Sequence, residues 1–123
     1  MTQPTPRLLI ALAGLNGFLA VAAGSFGAHG VQDEGARTLL KTAAEYQLGA
    51  AGVGLALLAL AALKGARLSA GLVLVGGLVF ATTIDLIVVT GNRLFGAVTP
   101  IGGVLMLAGF GWLVVSALRH RDS

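Results

Sequence analysis

Residues 68–89 read LSAGLVLVGGLVFATTIDLIVV, an unbroken apolar run whose single ionisable side chain is Asp85. At 1.5 Å rise per residue a helix over this run reaches about 33 Å, enough to cross the hydrocarbon core of a bilayer. It is apolar on every side, which a surface helix of a water-soluble domain is not. The run therefore predicts a transmembrane span, and its flanks repeat the signal. On its N-terminal side Lys64, Gly65, Ala66 and Arg67 form a short basic turn, and a second apolar run occupies about 44–63. A link this short makes the two helices neighbours of opposite direction. On its C-terminal side Thr90 to Thr99 reads as a loop, and a fourth run covers about 100–118, with Pro100 suited to its first turn. A run at about 8–28 follows a polar head containing Pro4, Pro6 and Arg7. Ala20, Val21 and Ala22 resemble a signal-peptide cleavage site, but the apolar run continues to Phe26 and is read as a retained span. The expected fold is a single all-α membrane domain over 1–123, with four transmembrane helices in an antiparallel bundle.

Between the first two runs lies the most charged segment of the chain, with Asp33, Glu34, Arg37, Lys41 and Glu45. Asp33 and Arg37 stand four apart, acid first, and Ala36, Leu39, Leu40 and Ala43 recur at helical spacing. A short amphipathic helix at the membrane surface, leading into the second span, is expected here, with Tyr46 at headgroup level.

Composition agrees with this reading. The chain has 123 residues, 56% of them hydrophobic and 11% charged, and a mean hydropathy of +0.91. Soluble domains carry about 25% charged residues. The net charge of +3 comes from basic residues scattered singly among apolar runs, not from a stripe with aromatics, so nucleic acid is not an expected partner. The absence of Cys excludes disulfides, thiolate-held clusters and cysteine nucleophiles. With four crossings, the head, the central turn and the tail share one side and carry Arg7, Lys64, Arg67, Arg119 and Arg121, against Arg37, Lys41 and Arg93 on the other. The excess places both termini in the cytoplasm, and the expected location is a bacterial inner membrane.

Helices in lipid associate through small residues that let backbones approach. Ala13/Gly17, Ala20/Gly24, Gly52/Ala56 and Gly77/Ala81 have the four-residue spacing of packing faces. No phosphate-binding glycine motif is present. The intramembrane polar residues are the candidates for chemistry. Asp85 lies near the outer end of the third span, with Thr82 one turn before it on the same side, and the pair could form a proton or cation relay or a contact to a partner helix. Asn16, within the first span, suits a hydrogen bond between helices better than a ligand site. His29 and His120 fall at opposite ends of the bundle, so a bis-histidine haem cannot form within one chain and a zinc site lacks ligands. No nucleophile, base and orienting group are visible together. Neither an enzyme nor a cofactor is expected.

Four motifs in order carry a resemblance. Gly27-Ala28-His29-Gly30, Glu45-Tyr46-Gln47, Thr99-Pro100-Ile101-Gly102-Gly103 and Gly111-Trp112 together resemble the four-span family catalogued as domain of unknown function 423, to which the mitochondrial transmembrane protein 256 also belongs. The resemblance runs from about Leu8 to Leu118. It implies a four-helix membrane fold and no assigned activity. Relatives typically follow Tyr-Gln with a Tyr and a His, where this chain has Gly49 and Ala50. They carry a Ser-Gly-Ser stretch and a Tyr in the third span, where this chain has Ala81, Thr82, Thr83 and Asp85. The leading functional expectation is a small accessory subunit packed in lipid against other membrane subunits or itself. The alternative is a homo-oligomeric transporter or channel component with Asp85 on its pathway.

Overall fold

The computed structural model describes residues 6–60 and 62–120. Pro4, Ala61, Arg121 and Asp122, which entered the reading of the head, the second span and the tail, lie outside the described residues. The chain forms four long helices, α1 (Arg7–His29), α2 (Glu34–Ala59), α3 (Ala66–Thr90) and α4 (Thr99–Arg119), with a short 3-10 helix at Arg93–Ala97. Three segments are long and apolar enough to cross a membrane: Arg7–His29, Ala66–Thr90 and Arg93–Arg119. The remaining long helix, α2, is the least apolar of the four because Glu34, Arg37, Lys41, Glu45 and Gln47 all lie within it.

Local chemistry sets the boundaries. At the start of α2 the Asp33 carboxylate accepts from the Ala36 amide at 2.8 Å, and Glu34 places negative charge in the first turn, where the helix dipole favours it. Nothing interrupts the helix between Glu34 and Ala59. The segment expected to form a separate surface helix is the first part of α2 itself, since no proline or left-handed glycine divides the two. At its far end α2 stops at Ala59, before the run of apolar residues does, because the Leu60 and Leu63 amides donate to Leu57 and Leu60 carbonyls in a tighter turn. α3 is bracketed by Gly65 (φ 97°) and Gly91 (φ 71°), both in the left-handed region that side chains disfavour. The segment 90–99, read as a loop, contains the 3-10 turn, nucleated where Asn92 Oδ1 accepts from the Leu94 amide.

Each helix packs mainly on its neighbours in sequence, through positions without bulk. Along α1 and α2, Gly17 faces Ala51, Gly24 faces Ala44 and Gly27 faces Leu40. Between α2 and α3, Gly54 lies against Leu74, Ala50 against Gly77, and the Tyr46 ring meets Phe80 edge-on with centroids 5.2 Å apart. Between α3 and α4 the backbones themselves touch. A Cβ on Gly76 would stand 2.7 Å from the Gly102 carbonyl oxygen and from the Met106 amide, and one on Gly102 would collide with the Phe80 backbone. Ala13 and Ala20 are buried in α1, and Ala81 packs with Ala43 and Ile84. Gly52 and Ala56 do not pack within the chain. Both are exposed, and a Cβ on Gly52 would meet nothing within 4 Å, because α2 turns its Ala43, Gln47, Ala50 and Gly54 face inward instead.

Candidate functional site: a buried polar centre and a bare helix face

The core of the three-helix contact is polar. Asn16 is completely buried where α1, α2 and α3 meet. Its Nδ2 donates to the Leu74 carbonyl at 3.1 Å on α3 and to the Leu12 carbonyl at 3.0 Å on its own helix. Its Oδ1 accepts from Gln47 Nε2 of α2 at 3.1 Å. One amide thus ties three helices together. The small residues around it make this possible: a Cβ on Gly77 would fall 2.6 Å from Ala50 Cβ and 3.5 Å from Asn16 Oδ1. Gln47 is also buried, and its Oε1 has no hydrogen-bond partner among the described residues. Orphaned buried acceptors are costly and uncommon.

A second polar contact joins α3 to the start of α4. The hydroxyls of Thr83 and Thr99 lie 2.7 Å apart, and either can donate. Thr83 Oγ1 also lies 2.8 Å from the Val79 carbonyl, and Thr99 Oγ1 lies 3.3 Å from that of Phe95. The neighbouring Thr82, singled out from spacing, makes no side-chain hydrogen bond among the described residues. Asp85 is half-buried, and its Oδ1 is buried with no partner among the described residues. It shares no hydrogen bond with Asn16, Gln47 or Thr82, so the candidate relay residues are not joined into one chain of donors and acceptors. Among the described residues no group of three or more His, Asp or Glu is placed to hold a metal.

The motif residues have mainly architectural positions. Gly27 admits Leu40, since a Cβ there would lie 3.1 Å from the Leu40 Cβ. Gly30 ends α1 with its amide donating to the Phe26 carbonyl, beside the exposed His29. Thr99 anchors α4, Pro100 occupies its first turn and Gly102 allows the approach to α3, whereas Gly103 faces open space. Tyr46 meets Phe80 edge-on, and Trp112 is partly exposed near the other end of α4. Thr83, Ser69 and Ser116 are buried polar residues that hydropathy alone did not single out. Thr83 shares a helical face with Gly76 and Phe80, which is the signal that could have selected it over Thr82.

One surface is unusual for what it lacks. Glu45, Gly49, Gly52 and Ala56 succeed one another at spacings of four, three and four along α2, and all are exposed. Cβ atoms on Gly49 and Gly52 would each meet nothing within 4 Å.

Comparison with known proteins fits this all-helical, apolar architecture. The chain is 35% identical over 121 residues to a UPF0382 membrane protein of Staphylococcus epidermidis, covering 92% of this chain and 97% of the relative. Similar proteins of the same description occur in Staphylococcus aureus (32%, covering 92% and 97%) and Staphylococcus saprophyticus (34%, covering 92% and 98%). No solved structure matches the chain. The profile of a protein family of unknown function, DUF423, matches residues 23–103. With the family profile matching about two thirds of the chain and relatives aligned over about nine-tenths of it, the chain belongs to the DUF423 family of membrane proteins.

Proposed function

We infer that this protein is an accessory subunit of the bacterial inner membrane, crossing it four times as an antiparallel bundle and docking on other membrane subunits through the exposed face of α2. The bare stripe of Gly49, Gly52 and Ala56, in line with Glu45, carries the reading. In lipid a face without side chains gains nothing from burial, and its physical use is close approach of another backbone. Glu45 adds to this. If the bilayer core begins about 30 Å back from Ala59, Glu45 falls about 9 Å inside it. A carboxylate facing lipid at that depth is costly, and a donor on a partner helix would relieve the cost.

Four crossings are supported by the pairings of α2. Its contacts run from Leu40 to Ala51 against Gly27 to Gly17 of α1, and from Tyr46 to Gly54 against Phe80 to Leu74 of α3, so it lies alongside two spans of sufficient length. Apart from Glu45, its polar side chains fall at the start, toward the outer interface, or turn inward to Asn16. The basic residues Lys64, Arg67 and Arg119 at the other end support cytoplasmic termini.

The test is extraction from native membranes in a mild detergent through a C-terminal tag, followed by sizing and mass spectrometry. A stoichiometric membrane partner that is lost from a Gly49→Leu/Gly52→Leu variant supports the reading. A monomer with no partner, or a partner retained by that variant, overturns it. A second reading rests on the buried, unpartnered Oδ1 of Asp85: a homo-oligomer that moves protons or cations past this carboxylate. Asp85→Asn keeps the shape and removes the charge. Loss of cation-coupled flux in reconstituted vesicles, with assembly unchanged, would support the second reading, and unchanged flux would remove it.

A further inference from the structure

At the end of the molecule formed by the α2–α3 turn and the last turns of α4 there is a cavity of about 370 Å³, lined by Lys64, Gly65, Trp112, Ser116, Arg119 and His120. We propose that this cavity is a binding site for a phosphate group, held by Lys64 and Arg119 with Ser116 and Trp112 as neutral donors, and that the group belongs to an anionic phospholipid of the leaflet on that side. The proposal depends on the helices lying in a bilayer and is independent of the docking role assigned to α2.

Four features converge on an anion. Lys64 and Arg119 are exposed cations with no ion-pair partner among the described residues. Ser116 is 8% exposed, and its hydroxyl has no hydrogen-bond partner among the described residues. The residue lines the cavity, where its hydroxyl is open to a ligand. The Trp112 indole N–H is a donor only, and it too lacks an acceptor among the described residues. Gly65 draws these groups together. A Cβ at Gly65 would stand 2.5 Å from Ser116 Oγ and 2.8 Å from Trp112 Nε1, so only a glycine lets these two side chains close on the turn that carries Lys64. Gly65 is also the N-cap of α3 and offers no side-chain cap, leaving the positive end of that helix directed to the same region.

Among the described residues the opposing field comes from the last carbonyls of α4, whose C-terminal end is negative. It amounts to about half a charge at most, against two full cations, so the balance favours an anion. A phosphate suits the donor set better than a carboxylate. Its three or four oxygens can meet a guanidinium fork, an ammonium, a hydroxyl and an indole at once. The tryptophan ring beside a basic cluster also has the character of a side chain at the headgroup level, and basic pockets between spans on the cytoplasmic side are where anionic headgroups bind.

The test uses the full chain in a maltoside detergent, which contains no phosphorus. Dioleoylphosphatidylglycerol, dioleoylglycerol and inorganic phosphate are titrated separately while the emission of Trp112, the only tryptophan of the chain, is followed. Phosphorus retained after gel filtration is measured on the same samples, so that a spectroscopically silent site is still detected. The expected result is saturable binding of phosphatidylglycerol but not of dioleoylglycerol, weakened at least tenfold in Lys64→Gln/Arg119→Gln and several-fold in Ser116→Ala. Saturation by inorganic phosphate as well would identify the free ion as a second source of the same group. Two results overturn the site: no saturable binding of either phosphate compound, or equal binding by the parent and the double variant. Both cations are exposed, so their replacement leaves helix packing intact, and circular dichroism checks this.

Discussion

Gly102 and Gly103 are adjacent in the same turn of α4, and the substitution of each by alanine is expected to change stability in opposite directions. Any intrinsic gain in helix preference is shared by both positions and is at most about 1 kcal/mol, smaller if the denatured chain in detergent keeps its helices. What separates them is the neighbour. A methyl at Gly103 enters open space. A methyl at Gly102 meets the Phe80 backbone and the Gly76 carbonyl, which cannot rotate away as a side chain would. Overpacking of close-packed sites costs about 1–3 kcal/mol, and a backbone-on-backbone clash belongs at the upper end. The expected outcome is Gly103→Ala neutral or up to about 1 kcal/mol more stable, and Gly102→Ala about 2 kcal/mol less stable. Titration of the detergent-solubilised protein with sodium dodecyl sulfate, read by Trp112 on α4, measures both. Equal effects, or Gly102→Ala within about 0.5 kcal/mol of the parent, would refute the contact between α3 and α4, since surface changes elsewhere stay within that range.

Asn16→Ala should destabilise the same transition by about 1–2 kcal/mol, because it removes two links between helices and leaves the Gln47 amide without its acceptor. Combining it with Gln47→Leu should cost less than the two single changes added, and strict additivity in that double-mutant cycle would show that the two amides are not coupled. Thr83→Val and Thr99→Val should each cost under about 1 kcal/mol, and together no more than either alone, because each removes the same contact. A reporter active only outside the cytoplasm should stay inactive when fused after Arg119 and become active when inserted at Gly91; the reverse pattern would overturn the proposed orientation.

The helical periods and their ends were legible in proportion to how local their causes are. Pro100 in the first turn of α4 and Gly65 and Gly91 flanking α3 act through their own backbone chemistry, and apolar runs marked α1, α3, α4 and the second half of α2. Small residues at four-residue spacing marked candidate contact faces, but spacing does not say which face meets a neighbour. Gly77 and Gly17 face other helices, while Gly52 and Ala56, with the same spacing, face outward. The rotation of α2 decides this, and that rotation follows from where Gln47 finds a partner 31 positions away in sequence. Asn16 was recognisable as a polar residue in a span, yet its partners were not, since nothing local distinguishes Gln47 from Tyr46 as the residue that turns inward. Thr82 and Thr83 pose the same ambiguity, and the position of α4 resolves it in favour of Thr83.

The low hydropathy of α2 follows from the same arrangement. In the proposed four-span arrangement a helix flanked by spans on two sides exposes only part of its circumference to lipid, so it can carry a glutamine turned inward and a run of glycines and alanines that would be a poor lipid surface on an isolated span. α1 and α4 lie at the two ends of the packing order, with fewer neighbours, and they hold large exposed apolar side chains such as Leu8, Phe18, Leu107 and Leu118. By that contrast the exposed face of α2 is conspicuous: with Leu48 and Leu55 to either side, the line through Glu45, Gly49, Gly52 and Ala56 presents the least apolar bulk. Gly14 on α1 and Gly103 and Gly111 on α4 also meet nothing within 4 Å, but on those helices they stand among bulky apolar neighbours, whereas on α2 the small positions follow one another in a line. In the proposed docking role those positions would admit another helix, and the Gly49→Leu/Gly52→Leu variant addresses them without disturbing the buried amides that hold α1, α2 and α3 together.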